Sequence, residues 1–175
     1  MSTLPQLTVD DEFESYREQV SHGVVVLAAP VDGEVVPIPD FPDYVFAQGL
    51  LGIGVGFLPT SNQVLAPAAG RVISIFPGRH AVLMKTPEEL ELLIHIGLDT
   101  VDLDGKGFDP LVKYCQEVRL GQPLIKFDPA VIRQEGKELH TAVIVTNKEA
   151  VDDYTLVQQG HAVAGRTPIL SAKLT

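Results

Sequence analysis

Residues 29–38 read APVDGEVVPI and residues 66–75 read APAAGRVISI. Both fit A-P-x-x-G-x-V-x-x-I. Each copy is expected to supply a strand end, a glycine turn and a second strand. A strand–turn–strand unit this short cannot bury an apolar face alone, so two copies predict face-to-face pairing into a sandwich. A weaker echo sets VRLGQPLIKF (118–127) beside AVAGRTPILS (162–171), again with a glycine before an apolar run.

Outward from the repeat, short Val/Ile/Leu-rich runs recur between scattered glycines and prolines. VVVLAAP (24–30), HAVLMK (80–85), LELLIHIGL (90–98) and TAVIVTN (141–147) are examples. That pattern predicts many short strands and tight turns. Asp128-Pro129 supplies a capping residue and a first-turn proline, so 129–136 reads as a short helix. The expected fold is an all-β, antiparallel β-sandwich of duplicated strand units with a few short helices.

Before the first strand, Asp10, Asp11, Glu12, Glu14 and Glu18 face only Arg17. Residues 1–20 read as a flexible acidic leader, with Val9, Phe13, Tyr16 and Val20 at the spacing of an amphipathic helix. Residues 21–175 read as one folded domain.

Composition excludes several classes. The 175 residues are 45% hydrophobic and carry a net charge of −10. A core is expected, and a surface of that sign repels nucleic acid and anionic lipid. There is no Trp for base stacking. The single Cys115 permits no internal disulfide, no apolar run is long enough to span a bilayer, and the N-terminus lacks a signal-peptide pattern. A cytoplasmic location follows as the expectation.

Of five histidines, His22, His140 and His161 have settings that surface or turn positions explain. His95 sits in LLIHIGLDTV, the one ionisable side chain in a run of strand formers. Alternation puts it on the side of Leu93 and Gly97, away from Ile94 and Ile96. A satisfied core histidine and a functional one both fit that setting. His80 opens the strand AVLMK. If 80–85 and 90–98 pair as a hairpin, a register that sets His80 opposite His95 and Met84 opposite Glu91 makes the two imidazoles cross-strand neighbours. A His pair near a Gly and an Asp supports two chemistries. One is nucleophilic transfer through a neutral imidazole; the other is zinc binding.

His95-Ile96-Gly97-Leu98-Asp99-Thr100-Val101 resembles a phosphorylation-site signature, H-[apolar]-G-[apolar]-D-T-V. Ala29-Pro30-x-x-Gly33, Pro42-Asp43-Tyr44-Val45-Phe46-Ala47, Gly52-x-Gly54, Pro59-Thr60, Ala66-Pro67-x-x-Gly70, Gly105-x-Gly107-Phe108 and Phe127-Asp128 follow in matching order. From about Val24 to Leu170 the chain is similar to the glucose-type enzyme IIA domain of the bacterial phosphoenolpyruvate-dependent sugar phosphotransferase system. The resemblance implies the duplicated hybrid motif, a β fold in agreement with the repeat. It implies that His95 accepts a phosphoryl group on Nε2 from the phosphocarrier protein HPr and passes it to a sugar-specific IIB domain. His80 would hold a phosphoryl oxygen. Phe41, Phe46 and Val101 would form a partner-binding rim with Asp43 and Asp99 at its edge, and the net charge would steer a basic partner. No cofactor is required, although His80 and His95 can share a zinc with a carboxylate from a partner. Regulatory targets, such as permeases and metabolic enzymes, are a further expectation of the resemblance.

Two positions depart from the family pattern. Gly78 stands where Thr is frequent, two residues before the supporting histidine. Glu88-Glu89 stand where the hairpin turn often carries Gly. Two other readings compete. A zinc peptidase of related β architecture would need an HxH pair that is absent. A biotin- or lipoyl-carrier module would need a carrier lysine on a hairpin tip, for which Met84-Lys85 is the nearest candidate.

Overall fold

The structure is a computed structural model and describes residues 3–175. In chain order the elements are α1 (Phe13–Gln19), β1 (Val24–Ala28), β2 (Gly33–Val36), α2 (Tyr44–Ala47), β3 (Ile53–Pro59), β4 (Gln63–Leu65), β5 (Gly70–Ile75), β6 (Ala81–Lys85) and β7 (Glu91–Ile96). Then follow β8 (Phe108–Pro110), β9 (Glu117–Val118), β10 (Pro123–Phe127), α3 (Pro129–Gln134), β11 (Thr141–Val145), β12 (Val151–Leu156), β13 (His161–Ala162) and β14 (Pro168–Leu174). The strands form one eight-stranded sheet, β13-β2-β3-β11-β7-β6-β5-β9, and two three-stranded sheets, β1-β14-β12 and β4-β10-β8. Every pairing is antiparallel. The expected all-β sandwich with few short helices is the observed architecture.

The duplication is visible in the backbone. The large sheet reads symmetrically about the β11–β7 pair, with β2 and β5, the second strands of the two repeats, in matching places. The repeats grip each other through reciprocal bonds. Ala28 N donates to Pro67 O and Leu65 N to Pro30 O, both at 2.8 Å. The weaker echo is structural too. Gly165 N donates to Ala29 O at 2.9 Å, and Gly121 N donates to Ala66 O at 2.8 Å. Both glycines have positive φ, 74° and 80°. Even the outer pairs correspond, His161 facing Glu34 and Glu117 facing Arg71.

One detail of the repeat differs from expectation. Gly33 and Gly70 are not turn glycines; each is the first residue of its strand. A Cβ at Gly33 would overlap the Leu58 carbonyl oxygen, and one at Gly70 that of Lys85. The glycines are there for close approach of the neighbouring backbone, not for a left-handed turn.

The main core lies between the sheets. Phe57, Val82, Met84, Leu92, Ile94, Ile96, Val143 and Val145 point into it from the large sheet, and Ile125 and Leu170 from the small ones. Burial of each large side chain contributes about 1.5–3 kcal/mol. Strand alternation then leaves Leu93 and His95 on the opposite face of β7, as the sequence pattern predicts.

Asp128 caps α3, its Oδ1 accepting from Ala130 N at 3.0 Å and Val131 N at 3.3 Å. In the N-terminal segment, Leu7, Phe13 and Tyr16 are buried. The Tyr16 hydroxyl donates to Pro5 O at 2.7 Å and lies 2.9 Å from Ser171 Oγ.

The hairpin register differs by one residue from the expected one. Ala81, not His80, faces His95, and Met84 faces Leu92 rather than Glu91. The reason lies in the β6–β7 turn, where Lys85 faces Glu91 and Thr86 N donates to Leu90 O at 2.9 Å, closing the hairpin over five residues rather than six. His80 lies one residue before β6, after the left-handed Arg79 at φ 60°, and its carbonyl still accepts from Ile96 N at 2.8 Å. The His80 ring still reaches His95, diagonally rather than directly across.

Candidate functional site

A row of small residues crosses the outer face of the large sheet. Gly56 on β3 faces Ala142 on β11, which faces His95 on β7, which faces Ala81 on β6. With only methyl groups or hydrogen on either side, the row is a trough in which the His95 imidazole stands. The covering aromatics come from the connection between β2 and β3. There a 3-10 turn, Ile38–Asp40, leads into α2. Asp43 caps α2, its Oδ1 accepting from Val45 N at 2.9 Å and Phe46 N at 3.3 Å. The capped helix lowers Phe46 onto His95, ring centroids 5.2 Å apart. Phe41 lies over Gly56, where any Cβ would overlap its ring.

The rings continue as a chain. Phe76 meets His80 at 5.8 Å, His80 meets His95 at 4.9 Å, Phe46 meets Phe41 at 5.4 Å, and Phe41 meets His140 at 5.6 Å. On the far side of His95 the strand ends in a fixed turn. Gly97 has φ 74°, and a side chain there would overlap Thr100 Cγ2. The Thr100 hydroxyl donates to Ile96 O at 2.6 Å. Asp99 holds φ 56°, and the following 3-10 turn, Thr100–Leu103, presents Val101 to solvent.

Burial, with the neighbouring His80 as a second cause, lowers the His95 pKa to about 4; the Gly97 backbone and Asp43 act the other way. Burial lowers that of His80, with the Gly78 backbone opposing. Both imidazoles are therefore neutral near pH 7. Nδ1 of each is buried without a well-formed hydrogen bond among the described residues. The Gly78 and Gly97 backbones sit near enough to favour the protonated rings, short of bonding geometry. At Gly78 a Cβ would lie 2.7 Å from His80 Nδ1, so the ring packs where the family's threonine would stand. Neutral imidazoles with their Nδ1 atoms buried suit nucleophilic group transfer at the other ring nitrogen.

The other candidate residues divide. Phe41 and Phe46 are 5% and 7% exposed, so they are buried covers packed on the trough rather than an exposed rim. Val101 at 60% and Asp99 are on the rim. Asp43 is half-buried, its carboxylate engaged in the cap. The exposed apolar surface of the rim comes instead from residues the motif reading did not single out, Tyr44 (74%), Val45 and Leu50. A signal existed: a capping Asp43 starts a helix at Tyr44, and burial of Phe46 turns Tyr44 and Val45 outward. His140 is the third imidazole whose Nδ1 is buried and unpartnered among the described residues, beside Glu138 at 3.8 Å. Glu89 takes the glycine-like φ of 71° in the β6–β7 turn.

Two imidazoles do not make a closed metal site. Among the described residues no group of three or more His, Cys, Asp or Glu side chains is placed to hold a metal ion. Lys85 ends β6 and is paired with Glu89 at 3.2 Å, not displayed on a hairpin tip.

The family model for the phosphoenolpyruvate-dependent sugar phosphotransferase system, EIIA 1, matches residues 25–151. The glucose-specific EIIA component of Staphylococcus aureus is 40% identical over 150 residues, 86% of this chain and 90% of that protein. Its Staphylococcus epidermidis counterpart is 40% identical over 151 residues, 86% and 91% of the two chains. Among solved structures, glucose permease IIA from Mycoplasma capricolum superposes with a TM-score of 0.78 at 33% identity, covering 84% of this chain and 95% of that one. The peptidase and biotin- or lipoyl-carrier readings have no support in these similarities. With the signature histidine, the duplicated fold and these relatives in agreement, the chain belongs to the EIIA 1 family of the phosphoenolpyruvate-dependent sugar phosphotransferase system.

Proposed function

We propose that this phosphocarrier works through His95, taking a phosphoryl group from phospho-HPr and delivering it to the IIB domain of a glucose-type permease. The observation that carries this reading is the pair of neutral imidazoles 4.9 Å apart in the small-residue trough. The Nε2 lone pair of His95 forms the new N–P bond as the bond from phosphorus to the donor atom breaks, its electron pair leaving with the donor. Nδ1 is sealed inside, which leaves Nε2 as the attacking atom. His80 donates a hydrogen bond to a phosphoryl oxygen. Tyr44, Val45, Leu50 and Val101 exclude water around the contact, while Asp99 and the net charge of −10 attract a basic partner. The relay runs in the cytoplasm; among the described residues no helix is long and apolar enough to cross a membrane.

Incubation with phosphoenolpyruvate, enzyme I and HPr gives an acid-labile, base-stable phosphoprotein. His95→Ala abolishes labelling. His80→Gln still labels but transfers onward more slowly. Absent labelling of the native chain, or normal labelling of His95→Ala, overturns the reading. The same two imidazoles offer a zinc two ligands, and a carboxylate from a regulatory partner would complete the set.

A further inference from the structure

The transfer reading leaves a charge unanswered. A phosphoryl group brings roughly −1.5 to −2 charges near pH 7. The imidazoles that receive it are both neutral, and the Asp43 carboxylate lies close enough to His95 to act on it. Nearby cations are engaged elsewhere: Lys137 with Asp102 at 3.0 Å and Lys106 with Glu135.

Arg79 is different. It immediately precedes His80, it is exposed, and among the described residues its guanidinium makes no ion pair. Its backbone sits at φ 60°, a conformation that disfavours arginine by about 1–2 kcal/mol. The turn that imposes it is closed by Arg79 N donating to Phe76 O at 2.7 Å. The side chain runs along the turn after Val101. A Cβ at Gly105 would lie 3.4 Å from Nε and 3.6 Å from Cζ, and one at Gly78 would lie 3.7 Å from Val101 Cα. The lack of a side chain at Gly105 leaves the guanidinium a smooth bed. A strained residue carrying a free cation at the edge of a transfer site suggests a role in transfer.

We propose that Arg79 is the phosphoryl-binding cation of this site. Resting on the proposed acceptor role of His95, the assignment has the guanidinium swing from the Gly105 turn over Val101 and pair with the non-bridging oxygens of the phosphoryl group. Its forked donors match those oxygens, and it is the permanent charge that the neutral histidines do not supply.

The test uses the full chain phosphorylated by phosphoenolpyruvate, enzyme I and HPr, with no partner present during measurement. A cation beside the phosphoryl group favours its dianion. In 31P NMR the titration midpoint of the phosphoryl group therefore rises by about half a pH unit in Arg79→Asn, as for a unit charge roughly 6 Å away at high dielectric. Asparagine tolerates the left-handed backbone, so that variant keeps the turn. Arg79→Lys keeps the charge and restores most of the native midpoint. Equal midpoints in native chain and Arg79→Asn, or a full rise in Arg79→Lys, overturn the assignment. Native chain that fails to label at His95 overturns the transfer reading instead, so the two failures are distinguishable.

Discussion

The two halves of the large sheet start from one unit and end differently. In the first half, β2 and β3 are joined by residues 37–52; in the second, β5 and β6 are joined by residues 76–80. The long connection folds back as a 3-10 turn and α2, and lays Phe41 and Phe46 on the trough. The short one turns sharply through Arg79 and ends in His80. Duplication supplied the frame on both sides. The site lies where the longer connection makes a cover and the shorter one delivers an imidazole.

The frame's sameness is the easiest part to break. Gly33→Ala and Gly70→Ala each push a methyl group into a neighbouring carbonyl, and each should cost about 3 kcal/mol by overpacking a tight strand pair. Urea unfolding of both variants checks this, and a large cost at only one position would dissolve the equivalence.

The second test separates the histidine half from the rest. Burial holds the folded His95 pKa near 4, below the ordinary value of 6.5. Between those values the unfolded chain binds the proton and the folded chain does not, so stability falls as pH drops from 6.5 toward 4. The loss reaches about 3 kcal/mol at most. His95→Gln should flatten that part of the stability-versus-pH curve. An unchanged slope would mean that another group carries it.

The smallest effect lies in the long connection's half. Gly56→Ala lifts Phe41 from the trough and should cost about 1–2 kcal/mol. Through Phe46 the shift reaches His95, so onward phosphoryl transfer slows several-fold while the label still goes to His95. An unaltered rate would show that the aromatic cover positions nothing.

Local chemistry explains which features were readable beforehand. The repeat, the capped α3 and the facing of His95 away from Ile94 and Ile96 follow from residues within one or two turns or strands. The trough does not. Ala81 and His95 share one hairpin, but Gly56 and Ala142 join them only because strands distant in sequence share a register, and no window of sequence contains all four. The hairpin register differs by one because the β6–β7 turn closes over five residues, 86–90, with Glu89 in a left-handed conformation that its residue type does not announce. Phe41 and Phe46 read as rim residues because their motif does not reveal that a glycine on β3 leaves space beneath Phe41 or that Phe46 closes on His95.

The reciprocal bonds between Ala28 and Pro67 and between Leu65 and Pro30 carry a further consequence. A lone unit would leave its groups open until it met a second copy, and that meeting would depend on how many copies were in solution. Fusing two units in one chain replaces the encounter with a tether, whose effective concentration is in the millimolar range for short flexible links. With dilution no longer a threat to the frame, each copy was free to change its connection without regard to the other.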